Sequence, residues 1–460
     1  MNTYIAILGA VFVLMGAVGV YHEHKALPEG FSYAGEVHHI AEEDVIFLLD
    51  RTVMRDGERI LEHEIFDTIF DTIRNAEDYV LADYFLFNDF GATEEHRPLT
   101  TELTQALIDS SANTYLITDP INTVYEGVRK EHIERLRASH VHVTLSNHNL
   151  LREANLVYSP VYRTFLSHTR NNPDGGWIIN ILGEGRVTLR SYWHMLTFRA
   201  NHRKVLVADS DDDVITIIST ANPHDASSAH TNMAVAIRGN IAQDVWKTGV
   251  PLAAIPPPPL APQRAGNVTA QLVTERAIKD AILRELSQAT EEDTVHVGAF
   301  YLSDSDVIHA LIAAHNNGAS VHVLLDPNTD AFGLKKDGVP NTQAARILHR
   351  AGVHVRWFDT HGEQFHTKML VIHRADGTST LIIGSANFTR RNLDGYNLET
   401  SVVLASNTQA RFMQDLKQYF LDAWENRNGH YSVAYEVYAD ERMHKHIQYH
   451  IMERLGVGTF

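Results

Sequence analysis

Residues 201–209 read NHRKVLVAD, and residues 365–373 read FHTKMLVIH. In each, a histidine and a lysine two places on open an apolar run, so His202-x-Lys204 is matched by His366-x-Lys368. One such stretch alone is an apolar strand with a satisfied edge histidine; its recurrence changes the reading. Side chains alternate across a strand, which puts His202 with Lys204, and His366 with Lys368, on a common face and turns Arg203 and Thr367 away. Each run leads into a small-residue turn, STANPHDASSAHTN from Ser219 and GSANFTRRNLDGYN from Gly384. Asn222 and Asn387 occupy corresponding turn positions, and Asn232 and Asn397 follow ten residues after them.

Working outward, the flanking elements repeat in the same order. EHEIFDTIFDTIRNAE (62–77) spaces Ile65, Ile69, Phe70 and Ile73 as one helix face and precedes the apolar DYVLADYFLFND. ERAIKDAILRELSQATEED later precedes TVHVGAFYLSDSD in the same way. TYLITDP then VHVTLSN in the first half is matched by VHVLLDP then VHVRWFD in the second, down to Asp119-Pro120 against Asp326-Pro327. Between the halves, Pro251 to Gly266 (PLAAIPPPPLAPQRAG) is too proline-rich for a helix or a central strand and reads as a semi-rigid linker. The expected fold is α/β: two repeats, 40–250 and 267–430, packed as a pseudo-twofold bilobal unit around linker 251–266. A membrane anchor (1–25) precedes them and an extension (431–460) follows.

A length of 460 residues exceeds what one core usually serves, and the composition is ordinary for a globular protein. The formal net charge of −18 disfavours nucleic acid as a partner, because the global field repels polyanions. The absence of cysteine excludes disulfides, thiolate zinc sites and cysteine nucleophiles.

The N-terminal stretch Tyr4 to Tyr21 carries no charge and spans roughly 27 Å as a helix. No basic residue precedes it, which favours a retained single anchor over a cleaved signal peptide or a buried globular helix. Lys25 lies just after the span, so the positive-inside rule places the C-terminal bulk in the cytoplasm. Clustered His22, His24, His38 and His39 are read as exposed polar residues beside the membrane.

Two imidazoles and two ammoniums converging on one pocket suit a phosphodiester. One neutral histidine attacks phosphorus while the other, protonated, gives its proton to the departing alkoxide. The lysines and the Asn222 and Asn387 amides would hold the non-bridging oxygens without a metal or cofactor. The paired H-x-K-x4-D and H-x-K-x4-H runs, each followed by a G/S-S/T-x-N turn, resemble the duplicated HKD motif of the phospholipase D superfamily. Within it the chain is similar to bacterial phospholipase D-like and cardiolipin synthase-like proteins. The resemblance implies a phosphohistidine intermediate, hydrolysis or transfer of a phosphatidyl group, His202 as nucleophile and His366 as acid. A nuclease of the same superfamily is the alternative enzyme.

Two positions depart from symmetry. Asp209 completes the first motif, whereas His373 stands at the matching place; on a straight strand Asp209 faces away from His202 and is expected to brace the strand. Glu399, two residues after Asn397, can orient and charge-stabilise an imidazole, while the same count in the first half reaches Ala234. Which histidine it serves is open. These departures motivate a further alternative, a catalytically degenerate membrane scaffold, although all four motif His and Lys residues are present. His224, Asp225 and His230 are candidates to line the pocket, and DSDDD (209–213) reads as a solvated turn.

Overall fold

The computed structural model describes the 460-residue chain apart from residues 1, 156, 211–212, 263, 265, 332–333 and 456–460. The first part contains α1 (Asn2–His24), β1 (His38–Ile40), β2 (Val45–Arg55), β3 (Glu58–Glu62), α2 (Ile65–Arg74), β4 (Tyr79–Tyr84), α3 (Leu99–Asp109) and β5 (Asn113–Thr118). It continues through α4 (Glu131–Arg137), β6 (His142–Leu145), α5 (Ser159–Val161), β7 (Ile178–Ile179), β8 (Arg186–Val187) and α6 (Leu189–Met195). Then come β9 (Lys204–Ser210), β10 (Asp213–Ser219), β11 (Asn232–Arg238) and α7 (Ile241–Gly249). Past the linker lie β12 (Val268–Thr274), α8 (Arg276–Ser287), β13 (Thr294–Ala299), α9 (Ser305–Asn316), β14 (Ser320–Leu325), β15 (Asp330–Ala331) and β16 (Leu334–Lys335). The chain ends through α10 (Asn341–Arg350), β17 (His354–Phe358), β18 (Lys368–His373), β19 (Thr378–Gly384), α11 (Arg390–Leu393), β20 (Thr400–Asn407), α12 (Arg411–Glu425), β21 (Ser432–Ala434) and α13 (Met443–Leu455).

The strands form two large mixed sheets, ordered β3-β2-β11-β10-β9-β4-β5-β6 and β1-β12-β20-β19-β18-β13-β14-β17-β21. In the first, β4, β5 and β6 are parallel and β9 joins them antiparallel. In the second, β13, β14 and β17 are parallel and β18 joins antiparallel. Parallel neighbours need crossovers, supplied by α3 and α4 in one half and α9 and α10 in the other. Both motif strands, β9 and β18, therefore sit mid-sheet at equivalent places.

Apolar spacing dictates the layers. The helix face expected from 62–77 buries Ile65, Ile69, Phe70 and Ile73 of α2 against the outer face of the first sheet. Ile278, Ala281, Ile282 and Leu286 of α8 do the same on the second. The inner faces of both sheets share one core, in which Leu81 and Val207 meet the same cluster as Val371, Leu381 and Val402. Helices cross between halves: α7 packs on β12, and α12 on β2. A strand that hydropathy did not announce, β1, pairs with β12 and adds residues from before the first repeat to the second sheet.

The proline-rich segment is held rather than loose. Trp246 Nε1 donates to the Ile255 carbonyl at 2.9 Å, and Asn240 Nδ2 donates to the Ala261 carbonyl while its Oδ1 accepts from the Ala261 N–H. Of the run 209–213, residues 211 and 212 lie outside the described residues. The flanking Asp209 and Asp213 are buried, which corrects the reading of a solvated turn. Asp213 pairs with Arg264 at 2.9 Å, and Asp209 accepts from the N–H groups of Asp78 and Tyr79 at 2.9 and 2.8 Å, bracing the start of β4.

Helix α1 stands apart from this body. Its described side chains from Tyr4 to Leu14 are exposed, and it meets the rest of the chain only near its C-terminal end, so it is not the core helix of a globular domain. Among the described residues one helix, from Tyr4 to His24, is apolar and long enough to span a membrane.

Candidate active site

The backbone just before each motif histidine is fixed by the same device. Asp119 Oδ2 accepts the Asn201 N–H at 2.7 Å, and Asp326 Oδ2 accepts the Phe365 N–H at 2.7 Å. The repeated Asp-Pro pairs thus end the parallel strands β5 and β14 and hold the adjacent motifs. Short bridges then lace the halves together: Asn201 pairs with Leu398, and Thr231 with Phe365. The His202 N–H donates to the Leu398 carbonyl at 2.8 Å, and the His366 N–H to the Thr231 carbonyl at 2.9 Å.

Each histidine is therefore seated in one half and secured by the other. His202 Nδ1 lies 3.0 Å from Glu399 Oε2, and His366 Nδ1 lies 2.9 Å from Asn232 Oδ1. Carboxylate and amide oxygens accept only, so both rings donate Nδ1–H and keep Nε2 for chemistry. Lys204 Nζ donates to the His202 carbonyl at 2.7 Å, and Lys368 Nζ to the His366 carbonyl at 2.7 Å. Their ammoniums lie 5.2 Å and 5.1 Å from the ring centroids of Phe85 and Phe300. The same two rings pack against His202 and His366, at 4.9 and 5.0 Å between centroids.

The partner of Glu399 corrects the sequence count. Thr220 Oγ1 bonds Asn232 Oδ1 at 3.0 Å, and Ser385 Oγ bonds Glu399 Oε2 at 2.5 Å. Residues 220 and 232 are 12 apart, whereas 385 and 399 are 14 apart. The second turn is two residues longer, so Glu399 occupies the place of Asn232 and not of Ala234. Asn397 Oδ1 instead accepts the Ala200 N–H at 3.0 Å. Glu399 is fully buried and also accepts from Asn392 Nδ2.

Electrostatics follow from burial. Desolvation pushes His202 down to about 4 despite the opposing pull of Glu399. His366 is driven well below its ordinary value by burial, then by Lys368, His230, Lys204 and His202. Burial lowers Lys204 to about 7, and burial with the neighbouring Lys204 drives Lys368 well down. Burial opposes ionisation of Glu399, yet His202 and Lys204 hold its carboxyl below the usual range. Groups from both halves thus perturb one another, and an entering phosphodiester anion would relieve the crowding of positive charge.

The remaining candidates divide. Asn222 Oδ1 accepts the Leu86 N–H at 3.3 Å, while Asn387 Oδ1 is buried with no hydrogen-bond partner among the described residues. His230 lies 5.9 Å from the His366 ring, with Nδ1 accepting the Gln364 N–H. His224 is engaged by Ser227 and the Phe90 carbonyl, and Asp225 by the Thr100 N–H. His38 pairs with Asp244 at 2.7 Å. Arg203 points away from the site as expected and pairs with Glu275 at 3.1 Å, whose Oε1 also accepts the Glu399 N–H. His373, in place of a second Asp209, bonds Ser379 Oγ at 2.7 Å and lines a cavity of about 270 Å³ with His296, His322 and Lys417. Sequence reasoning missed Phe85 and Phe300; DYFLFND and GAFYLSD, each following a matched helix, carried the signal.

Residues 282–424 match the family described as cardiolipin synthase, PLD-like domain. No curated protein matches the chain. Among solved structures, phosphatidylserine synthase from Haemophilus influenzae shares the fold at TM-score 0.53 and 11% identity, covering 92% of this chain and 97% of that one. A polyphosphate kinase from Porphyromonas gingivalis aligns at TM-score 0.43 and 13% identity over 83% of this chain, which spans 46% of the kinase. Nuc from Salmonella typhimurium, a phospholipase D family member, aligns at TM-score 0.27 and 22% identity, covering 36% of this chain and 97% of that one. Residues 282–424 thus carry a phospholipase D-like domain, and the fold of the phosphatidylserine synthase is shared along nearly the whole length of the chain.

Proposed function

We propose that the protein is a membrane-anchored phosphodiesterase or phosphatidyltransferase that acts on phospholipid head groups through a phosphohistidine on His202. The observation that carries the reading is the reciprocal seating of two His-Lys pairs, with the Glu399 carboxylate behind one histidine and the Asn232 amide behind the other. In the first step His202 Nε2 attacks phosphorus and the P–O bond to the leaving group breaks; His366 Nε2–H gives its proton to the departing alkoxide. The phosphoryl-imidazolium carries positive charge, which the Glu399 carboxylate stabilises through Nδ1–H. In the second step neutral His366 takes a proton from water or an alcohol, that oxygen attacks phosphorus, and His202 leaves unmodified. Lys204 and Lys368 balance the non-bridging oxygens, with the Asn222 and Asn387 amides beside them. The apolar helix α1 supports lipid as the substrate class by holding such a site at a bilayer.

Incubating detergent-solubilised protein with phosphatidylglycerol and phosphatidylethanolamine, then resolving products by mass, tests the reading. Cardiolipin shows transfer and phosphatidic acid shows hydrolysis. Turnover of neither lipid, alongside cleavage of single-stranded DNA, would move the substrate to nucleic acid.

A further inference from the structure

Between β6 and β9, the described residues of 149–199 leave the first sheet at the end where His202 lies and form a lobe that packs against α1 and against the loop around Tyr125, whose ring stacks on His194 at 4.5 Å. The Glu153 N–H donates to the His22 carbonyl at 3.1 Å, Lys25 Nζ to the Asn149 carbonyl at 2.7 Å, and Arg152 Nε to the Lys25 carbonyl at 3.0 Å. Gly19 packs on Pro160 so closely that a Cβ there would stand 3.0 Å from Pro160 Cγ. Gly19 lies two residues inside the apolar stretch that ends at Tyr21, or about 3 Å along the helix axis. If α1 spans a bilayer, Pro160 sits at the depth of its last apolar turn, and the lobe around it meets the membrane interface.

The lobe's surface is built for that place. Val157, Phe165, Trp177, Ile179 and Ile181 are 64%, 56%, 64%, 68% and 63% exposed. No stretch of similar length in the described globular body exposes as many large apolar side chains. Trp177, Ile179 and Ile181 alternate along the β7–β8 hairpin, which Arg186 pins by donating to the Trp177 carbonyl at 2.6 Å and Tyr192 by donating to the Ile179 carbonyl at 2.5 Å. Of the segment's six arginines, Arg163 and Arg199 are buried against Glu153, while Arg170 and Arg186 are exposed; the segment has no lysine and three acidic residues, in a chain of net charge −18. Trp, Tyr and Arg around an apolar tip is the composition that partitions to a lipid–water interface and is drawn to anionic head groups. The lobe is also tied to the site: Arg391 Nη1 donates to the Phe198 carbonyl at 2.6 Å, and Asn397 holds Ala200, two residues before His202.

We propose that residues 149–199 form a second membrane-docking surface, the β7–β8 hairpin seating in an anionic bilayer beside α1 and fixing the height of the His202 pocket above it. The proposal rests on the reading of α1 as a membrane span. The cysteine-free chain allows a clean test with single nitroxide labels at Ile179→Cys, Val11→Cys and Leu260→Cys, in full-length protein in phosphatidylcholine/phosphatidylglycerol nanodiscs. The label at Ile179 should collide with oxygen in preference to a soluble nickel chelate, as at Val11, while the label at the 77% exposed Leu260 should favour the chelate. A chelate-accessible label at Ile179 with Val11 in the bilayer would overturn the docking surface and leave the anchor standing. Chelate access at both positions would overturn the anchor and the proposal with it. Trp177→Asp with Ile179→Asp should lower turnover of vesicle lipid about tenfold and leave a soluble nitrophenyl phosphodiester nearly unaffected. Equal loss on both substrates would assign these residues to folding instead.

Discussion

His202 and His366 stand at equivalent places on equivalent strands, yet Nδ1 of one meets a carboxylate and Nδ1 of the other an amide. A duplicated fold supplies two identical bases, but a displacement at phosphorus needs one nucleophile and one acid. The asymmetry comes from the partners and not from the motifs: Glu399 favours positive charge on His202, as the proposed phosphoryl-imidazolium would require, whereas Asn232 orients His366 without adding charge. Because each partner comes from the opposite half, neither half holds a complete site. The same division appears at the far ends of the motif strands, where Asp209 braces β4 and His373 faces a histidine-lined cavity.

The largest effect is expected from the histidines. On phospholipid, His202→Ala and His366→Ala should each lower kcat by roughly 10⁴-fold or more. A nitrophenyl phosphodiester, whose leaving group needs little protonation, separates them: His366→Ala should still form a covalent intermediate, and His202→Ala should not. Equal loss on that substrate would erase the distinction between the halves.

Next come the partners. Glu399→Gln removes the charge behind His202 and is expected to lower kcat by about 100-fold, while Asn232→Ala should lower it by about tenfold, both read by steady-state kinetics. An Asn232→Ala loss exceeding that of Glu399→Gln would reverse the roles assigned to the two halves.

The pH profile gives a smaller but sharper contrast. Lys204 is lowered to about 7 by burial, and in the proposed mechanism its charged form balances the phosphate. The free-enzyme profile of kcat/KM should therefore fall as pH rises through about 7, as the ammonium loses its proton. Lys204→Arg keeps its charge at all accessible pH and should shift this limb upward even as it reduces the rate. An unmoved limb would assign it to another group.

The smallest catalytic effect is expected at His373. His373→Gln should leave kcat within about threefold, since the side chain lies at the end of β18 away from Lys368. Its influence is on stability. Burial lowers His373 to about 4, so as pH falls below the ordinary histidine value the unfolded chain binds the proton first. Stability is full above about 6.5 and declines toward 4, by roughly 3 kcal/mol for this one group. Denaturant titrations across that range should show a shallower decline in His373→Gln than in the parent protein.

The repeat made much of this legible in the sequence. Matched helix spacings in α2 and α8, the two Asp-Pro strand ends and the His-x-Lys faces all follow from local periodicity, and they place both motifs mid-sheet. The pairing of Glu399 with His202 does not, because the two are 197 residues apart and meet only when the halves dock. Counting from Asn397 led to Ala234, since a turn lengthened by two residues is invisible until Ser385 and Thr220 are seen in equivalent bonds. Strand β1 was missed for a similar reason: three residues have no period of their own, and the edge of the other half's sheet defines them. The DSDDD run shows the opposite error, where composition suggested solvent but backbone N–H groups and Arg264 held the flanking carboxylates inside.

The claim that two matched histidines are made unequal by their partners is tested most directly by acid-quenching the enzyme during turnover and mapping the phosphorylated residue by mass spectrometry. The account predicts a phosphoryl group on His202 in the parent protein, with its steady-state level reduced in Glu399→Gln. Phosphate on His366, or on neither histidine, would contradict it.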